Sequence, residues 1–126
     1  MRRVMTAATL AVLLLGLAIA GKPHPAFAAS YDGNWSVLII TEQGSCDRGY
    51  RYDVNVANGR VRYNGEAAIN LAGTVAPSGM VSVSIKLGDK GASGVGRLSS
   101  TGAGYGSWRG IGSSTTCSGR WEAERR

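Results

Sequence analysis

Polar and apolar residues alternate with a period of two through most of the chain after about residue 30. Tyr52, Val54 and Val56, for example, alternate with Asp53 and Asn55. This alternation is typical of a β-strand with one face in a core and the other in water. No segment of this region has the 3.6-residue period of an amphipathic helix of useful length. The pattern therefore predicts an all-β domain.

Turn-forming residues divide the alternating region into eight predicted strands. Asn58-Gly59 and Asn64-Gly65 are typical of two-residue β-hairpins, and Pro77-Ser78-Gly79 and Gly88-Asp89-Lys90-Gly91 indicate further turns. The predicted strands cover about residues 34–42, 49–57, 60–66, 67–76, 80–87, 91–99, 103–111 and 116–124. These short links predict an antiparallel up-and-down meander. The first strand is an exception, because its consecutive apolar residues 37–40 predict either burial on both faces or a bulge.

Glycines lie inside several predicted strands, next to large aromatic residues. Gly104, Gly106 and Gly110 share one face of their strand with Trp108. Small residues beside large ones are typical of the interior of a narrow barrel. The aromatic side chains that we expect in the interior are Trp35, Trp108, Trp121, Tyr52 and Tyr63. We expect the interior to be filled completely, and the alternative is a cavity of at least about 300 Å³ that holds an apolar small molecule.

The N-terminal segment has the features of a secretory signal. A positively charged start is followed by an uncharged apolar run, residues 4–21, and by Ala26-Phe27-Ala28, which is typical of a signal-peptidase site. We predict that residues 1–28 are cleaved and that residues 29–126 form one domain without a membrane span, located in a bacterial periplasm or secreted. The alternative is a membrane anchor that is retained.

Cys46 and Cys117 are the only two cysteines. Because an exported protein is in an oxidising compartment, we expect them to form a disulfide. The pair lies near the same end of the first and last strands. Because a disulfide requires Cα atoms within about 7 Å, these strands must then be neighbours. We therefore predict a closed or nearly closed barrel, with a two-sheet β-sandwich as the alternative.

The net charge and the types of residue present exclude some classes of function from the prediction. The full chain has a net charge of +6, which falls to +3 without residues 1–28, too low to predict a nucleic-acid partner. The only histidine, His24, lies in the signal, so we expect no metal site, no cofactor and no enzyme. A less favoured alternative is a hydrolase that uses a carboxylate pair. The carboxylates considered for it are Glu42 with Asp47 and Glu122 with Glu124.

One predicted hairpin carries three arginines, Arg51, Arg60 and Arg62, whose parity points them away from the neighbouring tyrosines. Guanidinium groups bind phosphate and carboxylate groups well. This hairpin therefore predicts a binding or interaction module whose partner is an anionic glycan, a lipid headgroup or a protein surface. The alternative is a solvated face in which Asp53 neutralises part of the charge.

Gly33-Asn34-Trp35 is similar to the G-x-W motif that opens the first strand of lipocalins and avidins. In that barrel superfamily an arginine near the end of the last strand packs across the tryptophan. The resemblance implies the same part for Arg125 or Arg126. It implies a fold and does not identify a ligand.

A broader resemblance is to small exported alphaproteobacterial proteins of unassigned function. The shared segments are a W-x-V opening, the stretch from Cys46 to Tyr52, a G-x-G-R-L segment ending at Leu98, and a C-x-G-x-W-x-A end from Cys117 to Ala123. The resemblance spans most of the chain after the signal. It implies a location in the cell envelope or outside the cell, and it implies no known activity.

Overall fold

The computed structural model describes residues 30–111 and 115–126, so the predicted signal lies outside the described residues. In the described part, eight antiparallel strands form a closed barrel in chain order. The strands are β1 (Gly33–Gln43), β2 (Gly49–Ala57), β3 (Arg60–Tyr63), β4 (Asn70–Val75), β5 (Met80–Leu87), β6 (Lys90–Leu98), β7 (Ala103–Ile111) and β8 (Thr116–Arg125). The predicted all-β meander is confirmed, and the sandwich alternative is excluded. None of the described residues forms a helix long and apolar enough to cross a bilayer.

Pairing of the first and last strands closes the barrel. Trp35 lies opposite Arg125 and Ile39 lies opposite Trp121 in the antiparallel ladder between β1 and β8. The Cys46–Cys117 disulfide joins the loop after β1 to β8, with the two Cα atoms 6.1 Å apart. Closure pairs most of each strand on both sides, and a part of the wall without a second partner is residues 49–52 of β2, which pair only with β1.

The region between β3 and β4 differs from the prediction. The strands end at Tyr63 and begin at Asn70, so the intervening residues 64–69 form a loop and the predicted hairpin at Asn64-Gly65 is wrong. Residues 66–68 are exposed and carry no large apolar side chain, so burial does not hold them in the barrel wall. The hairpin at Asn58-Gly59 does form, and both residues have the positive φ angles, 52° and 77°, that its turn requires.

The apolar run of β1, residues 37–40, keeps a regular register to both neighbouring strands, so the predicted bulge does not lie within it. The ladder to β8 shifts register between Thr41 and Gln43, which marks a bulge near the end of the strand. Leu38 and Ile40 lie on the outer face but are half-buried. Ile40 has Arg120 as its partner on β8, and the long stem of an arginine is suited to covering an apolar neighbour.

Most of the core lies in one half of the barrel, which we call the closed end. Its tightest residue is Trp35, which is only 1% exposed and donates a hydrogen bond from its indole N–H to the Tyr31 carbonyl oxygen, 2.9 Å away. The Tyr31 hydroxyl in turn donates to the Pro77 carbonyl oxygen. The buried hydrophobic cluster consists of Trp35, Ile39, Val54, Val56, Val61, Val75, Val81, Leu98, Trp121 and Ala123.

Arg125 completes the closed end. Its guanidinium carbon lies 5.2 Å from the centroid of the Trp35 ring, a cation–π geometry. The guanidinium group donates hydrogen bonds to the carbonyl oxygens of Ser30, Asp32 and Ser100. Of the two arginines that the sequence offered, Arg125 packs across the tryptophan, whereas Arg126 is exposed and pairs through its backbone N–H with the Asn34 carbonyl. The segment before β1 is thereby held across this end.

Candidate functional site

A cavity of about 640 Å³ opens toward the opposite half of the barrel, which we call the open end, and reaches inward to core residues such as Trp35 and Val56. The expectation that the barrel fills itself completely is therefore wrong. The volume lies within the range of roughly 300–1,000 Å³ that is typical of small-molecule sites. Partly buried side chains that line it include Val37, Tyr50, Tyr52, Leu71, Val83 and Trp108. The site is thus a mainly apolar pocket inside the barrel.

The glycines of β6 and β7 explain why one half is filled and the other is not. The Trp121 ring lies against Gly96 and Gly106, where an added Cβ would overlap the indole. At Gly94, nearer the open end, an added Cβ would meet no atom closer than 3.5 Å. The Trp121 ring therefore fills the space beside Gly96 and Gly106 in the closed half. Beside Gly94 the space is not filled by a ring in the same way.

The three tryptophans present apolar surface to the interior because their N–H groups are occupied. Trp108 donates to the Ile40 carbonyl oxygen at 3.0 Å, and Trp121 donates to that of Val95 at 3.2 Å. Trp35, at the closed end of the cavity, donates to a backbone carbonyl as described above. With these donors paired, the indoles contribute ring surface to the cavity and no free polar group.

Polar side chains around the cavity concentrate at its mouth. Ser45 and Asp47 come from the loop after β1, Lys90 comes from the start of β6, and Thr115 precedes β8. The disulfide holds the first of these loops against β8. Gly44 allows that approach, because it has a φ of +97° and a Cβ there would lie only 2.7 Å from the Cys117 sulfur. One side of the mouth is therefore fixed covalently.

Tyrosines of β2 and β3 form an aromatic row. The Tyr52 ring makes edge-to-face contacts with Tyr50 and Tyr63, with centroids 6.0 Å and 6.2 Å apart. Tyr50 and Tyr52 line the cavity, whereas Tyr63 packs beside Tyr52. The Tyr63 hydroxyl lies next to Gly65, where a Cβ would overlap it. Burial raises the pKa of Tyr52 above its ordinary value of 10.0, with smaller contributions from the two neighbouring tyrosines. The Tyr52 phenol is therefore neutral at physiological pH.

The three arginines predicted to bind an anionic partner are exposed but do not form one cluster. Arg62 on β3 lies opposite Asn55 on β2. Asn55 is four residues from Arg51, so the two arginines are separated by that length of strand. Four residues of a strand span about 13 Å. Arg60 lies still further along the hairpin, and Arg51 donates a hydrogen bond to the buried Ser36 hydroxyl at 3.2 Å. The outer face therefore presents separate positive charges.

The carboxylates considered for a hydrolase do not converge on the cavity. Of the four, only Asp47 lines it. Glu42 and Glu122 lie on the outer face, 3.0 Å and 4.0 Å from Arg120 guanidinium nitrogens, and both side chains are more than half exposed. Within residues 30–111 and 115–126, no group of three or more His, Cys, Asp or Glu side chains is placed to hold a metal ion.

The arrangement as a whole suits binding through shape and apolar contact. The cavity has aromatic and aliphatic walls that include two tyrosines, and it has a polar rim. Pockets of this composition bind small molecules, with a few polar groups setting their orientation. The chain matches no protein-family model, no curated protein and no solved structure. The cavity and its lining side chains are therefore the features that bear on function.

Proposed function

We propose that this protein binds an apolar small molecule inside the barrel and carries or sequesters it. The observation that supports this function best is the cavity of about 640 Å³ with mainly apolar walls. Its closed end is covered by Trp35 and Arg125, so we expect the ligand to enter at the open end, past the disulfide-bonded loop. The separated arginines of the outer face support an anionic partner less well.

The hydrophobic effect supplies enough free energy for such a function. Each 100 Å² of apolar ligand surface that leaves water contributes about 2.5 kcal/mol. Micromolar affinity corresponds to about 8 kcal/mol after the entropic costs of association have been met. A ligand that fills the cavity and is covered on most sides has sufficient surface to reach this range.

The proposed location is the periplasm or the exterior of the cell. The disulfide is stable in an oxidising compartment, and the N-terminal residues have the composition of a secretory signal. An apolar compound dissolves poorly in these aqueous spaces, so it needs a protein that encloses it in order to be carried through them. We propose binding and carriage, without catalysis, as the activity.

Filling the cavity from its glycine wall tests the proposal. Gly94→Phe adds a ring at a position where a Cβ has room, so the barrel should fold and the ring should occupy ligand space. The probe is the neutral dye N-phenyl-1-naphthylamine, whose fluorescence rises in apolar surroundings. We expect the wild-type protein to bind the dye and the variant to bind it at least about tenfold more weakly, a change of about 1.4 kcal/mol.

Ser84→Phe is the matched control, because Ser84 is exposed on the outer face of β5 and does not line the cavity. This variant should bind the dye as the wild type does. Melting temperatures of all three proteins establish that each is folded. Absence of dye binding by the wild type, or equal binding by the Gly94 and Ser84 variants, would contradict the proposed site.

A further inference from the structure

Tyr52 is placed to give the cavity a polar contact away from its mouth. It lies two residues further into the barrel than Tyr50 on β2, and the next inward residues, Val54 and Val56, are buried and apolar. The loop side chains Ser45, Asp47, Lys90 and Thr115 lie at the rim. The Tyr52 hydroxyl is therefore the polar group that a ligand meets once its leading end has passed the mouth.

This hydroxyl makes no hydrogen bond to the described part of the protein. Among the residues that the structure describes, only Tyr31 bonds through a tyrosine hydroxyl, to the Pro77 carbonyl oxygen at 3.2 Å. A polar group that loses water without gaining a partner costs about 1–3 kcal/mol. A ligand that enters the cavity displaces solvent from Tyr52, so a purely apolar ligand incurs part of this cost.

The aromatic row also limits the movement of the Tyr52 side chain. Edge-to-face packing against Tyr50 on one side and Tyr63 on the other restricts rotation of the Tyr52 ring. A neutral phenol is both a donor and an acceptor. Buried donors without partners are rarer in proteins than acceptors with a free lone pair. The O–H group is therefore the part of Tyr52 that needs a partner from the ligand.

We infer that the ligand is an apolar molecule that carries a carbonyl oxygen and that Tyr52 donates a hydrogen bond to this oxygen. The inference rests on the proposed function, and it adds the chemical class of the ligand and the residue that selects it. The apolar walls bind the framework, and Tyr52 distinguishes a carbonyl compound from a hydrocarbon of similar size.

Two fluorescent probes with a naphthalene core test the inference. Prodan carries a ketone oxygen, whereas N-phenyl-1-naphthylamine has no carbonyl group. We expect Tyr52→Phe to weaken Prodan binding about fivefold, the value of one ordinary hydrogen bond. Binding of the second probe should change less than about twofold. Emission of bound Prodan should move to shorter wavelength when the hydrogen bond is lost.

Tyr63→Phe is the matched control, because it removes the same atom from the same aromatic row at a position that does not line the cavity. This variant should bind both probes as the wild type does. Equal weakening of both probes by Tyr52→Phe would assign the residue to packing, and unchanged binding would exclude the hydrogen bond. Either result overturns the inference while the proposed function stands. Failure of the wild type to bind either probe overturns both.

Discussion

Different interactions hold the strands together at the two ends of the barrel. At the closed end, the buried Trp35 ring lies under the Arg125 guanidinium, which also bonds three backbone carbonyls. At the open end, the Cys46–Cys117 disulfide joins the walls, and the interior beside it is left unfilled. A covalent bond stabilises without occupying the centre of the barrel. The comparison shows how a small domain can keep a large cavity.

The difference has a consequence for how stability is distributed. The members of the buried cluster are almost fully covered, including those at the inner end of the cavity, while Tyr50, Tyr52 and Trp108 nearer the mouth are half-buried. Tight packing of the first group stabilises the fold, because each buried side chain contacts many neighbours. Substitutions in the buried cluster should therefore affect unfolding most, and substitutions of the half-buried side chains should mainly affect binding.

The sharpest test compares one tryptophan from each end. We expect Trp35→Ala to lower the free energy of unfolding by about 5 kcal/mol, since it removes a fully buried ring and the donor to the Tyr31 carbonyl. Trp108→Ala should cost about 2 kcal/mol, because the Trp108 ring is only half-buried. Urea unfolding followed by circular dichroism measures both. Equal losses would show that the two ends do not differ in packing.

Removal of the disulfide is the next largest expected effect. The cysteines are 71 residues apart in sequence, and closing a loop of this length stabilises by about 4 kcal/mol in the chain-entropy model. Cys46→Ala with Cys117→Ala should lower the unfolding free energy by this amount in urea titrations. A reducing agent should destabilise the wild type and leave the double variant unchanged. If reduction affects neither protein, the disulfide does not support the open end.

Arg125 and Arg126 form a natural pair for a smaller test at the closed end. Arg125→Ala should cost about 2 kcal/mol, because it removes the cation–π contact and the bonds to backbone carbonyls. Arg126→Ala should stay within about 0.5 kcal/mol of the wild type, as is usual for exposed side chains. Thermal melts of the two variants at equal ionic strength give the comparison. A melting temperature that falls equally in both would remove the special role of Arg125.

Several local features could be predicted from the sequence because they depend on neighbours in the chain. Alternation through Tyr52, Val54 and Val56 predicted both the strand and its inward face, and Asn58-Gly59 predicted its turn. The boundary between β3 and β4 could not be predicted in this way. Asn64-Gly65 has the residues of a tight hairpin, but the register that places Arg60 opposite Thr74 makes the connection a longer loop.

The candidate site was only partly predictable. The aromatic residues expected in the interior were Trp35, Trp108, Trp121, Tyr52 and Tyr63, and all of them except Tyr63 line the cavity. The sequence also predicted, wrongly, that they would fill the interior. The glycines of β6 and β7 were interpreted as neighbours of large rings, but the sequence does not show which of them a ring covers. Gly96 and Gly106 lie against the Trp121 ring. A Cβ at Gly94, by contrast, would meet no atom closer than 3.5 Å.

The sequence by itself determined that this protein is an all-β meander with its first and last strands close together. Strand periodicity, turn residues and the cysteine pair carry that information, because each acts through local geometry or through one covalent bond. Only the tertiary structure decided that the barrel is hollow at one end. The volume of a cavity depends on which ring covers which glycine across strands, and residue order alone does not specify those contacts.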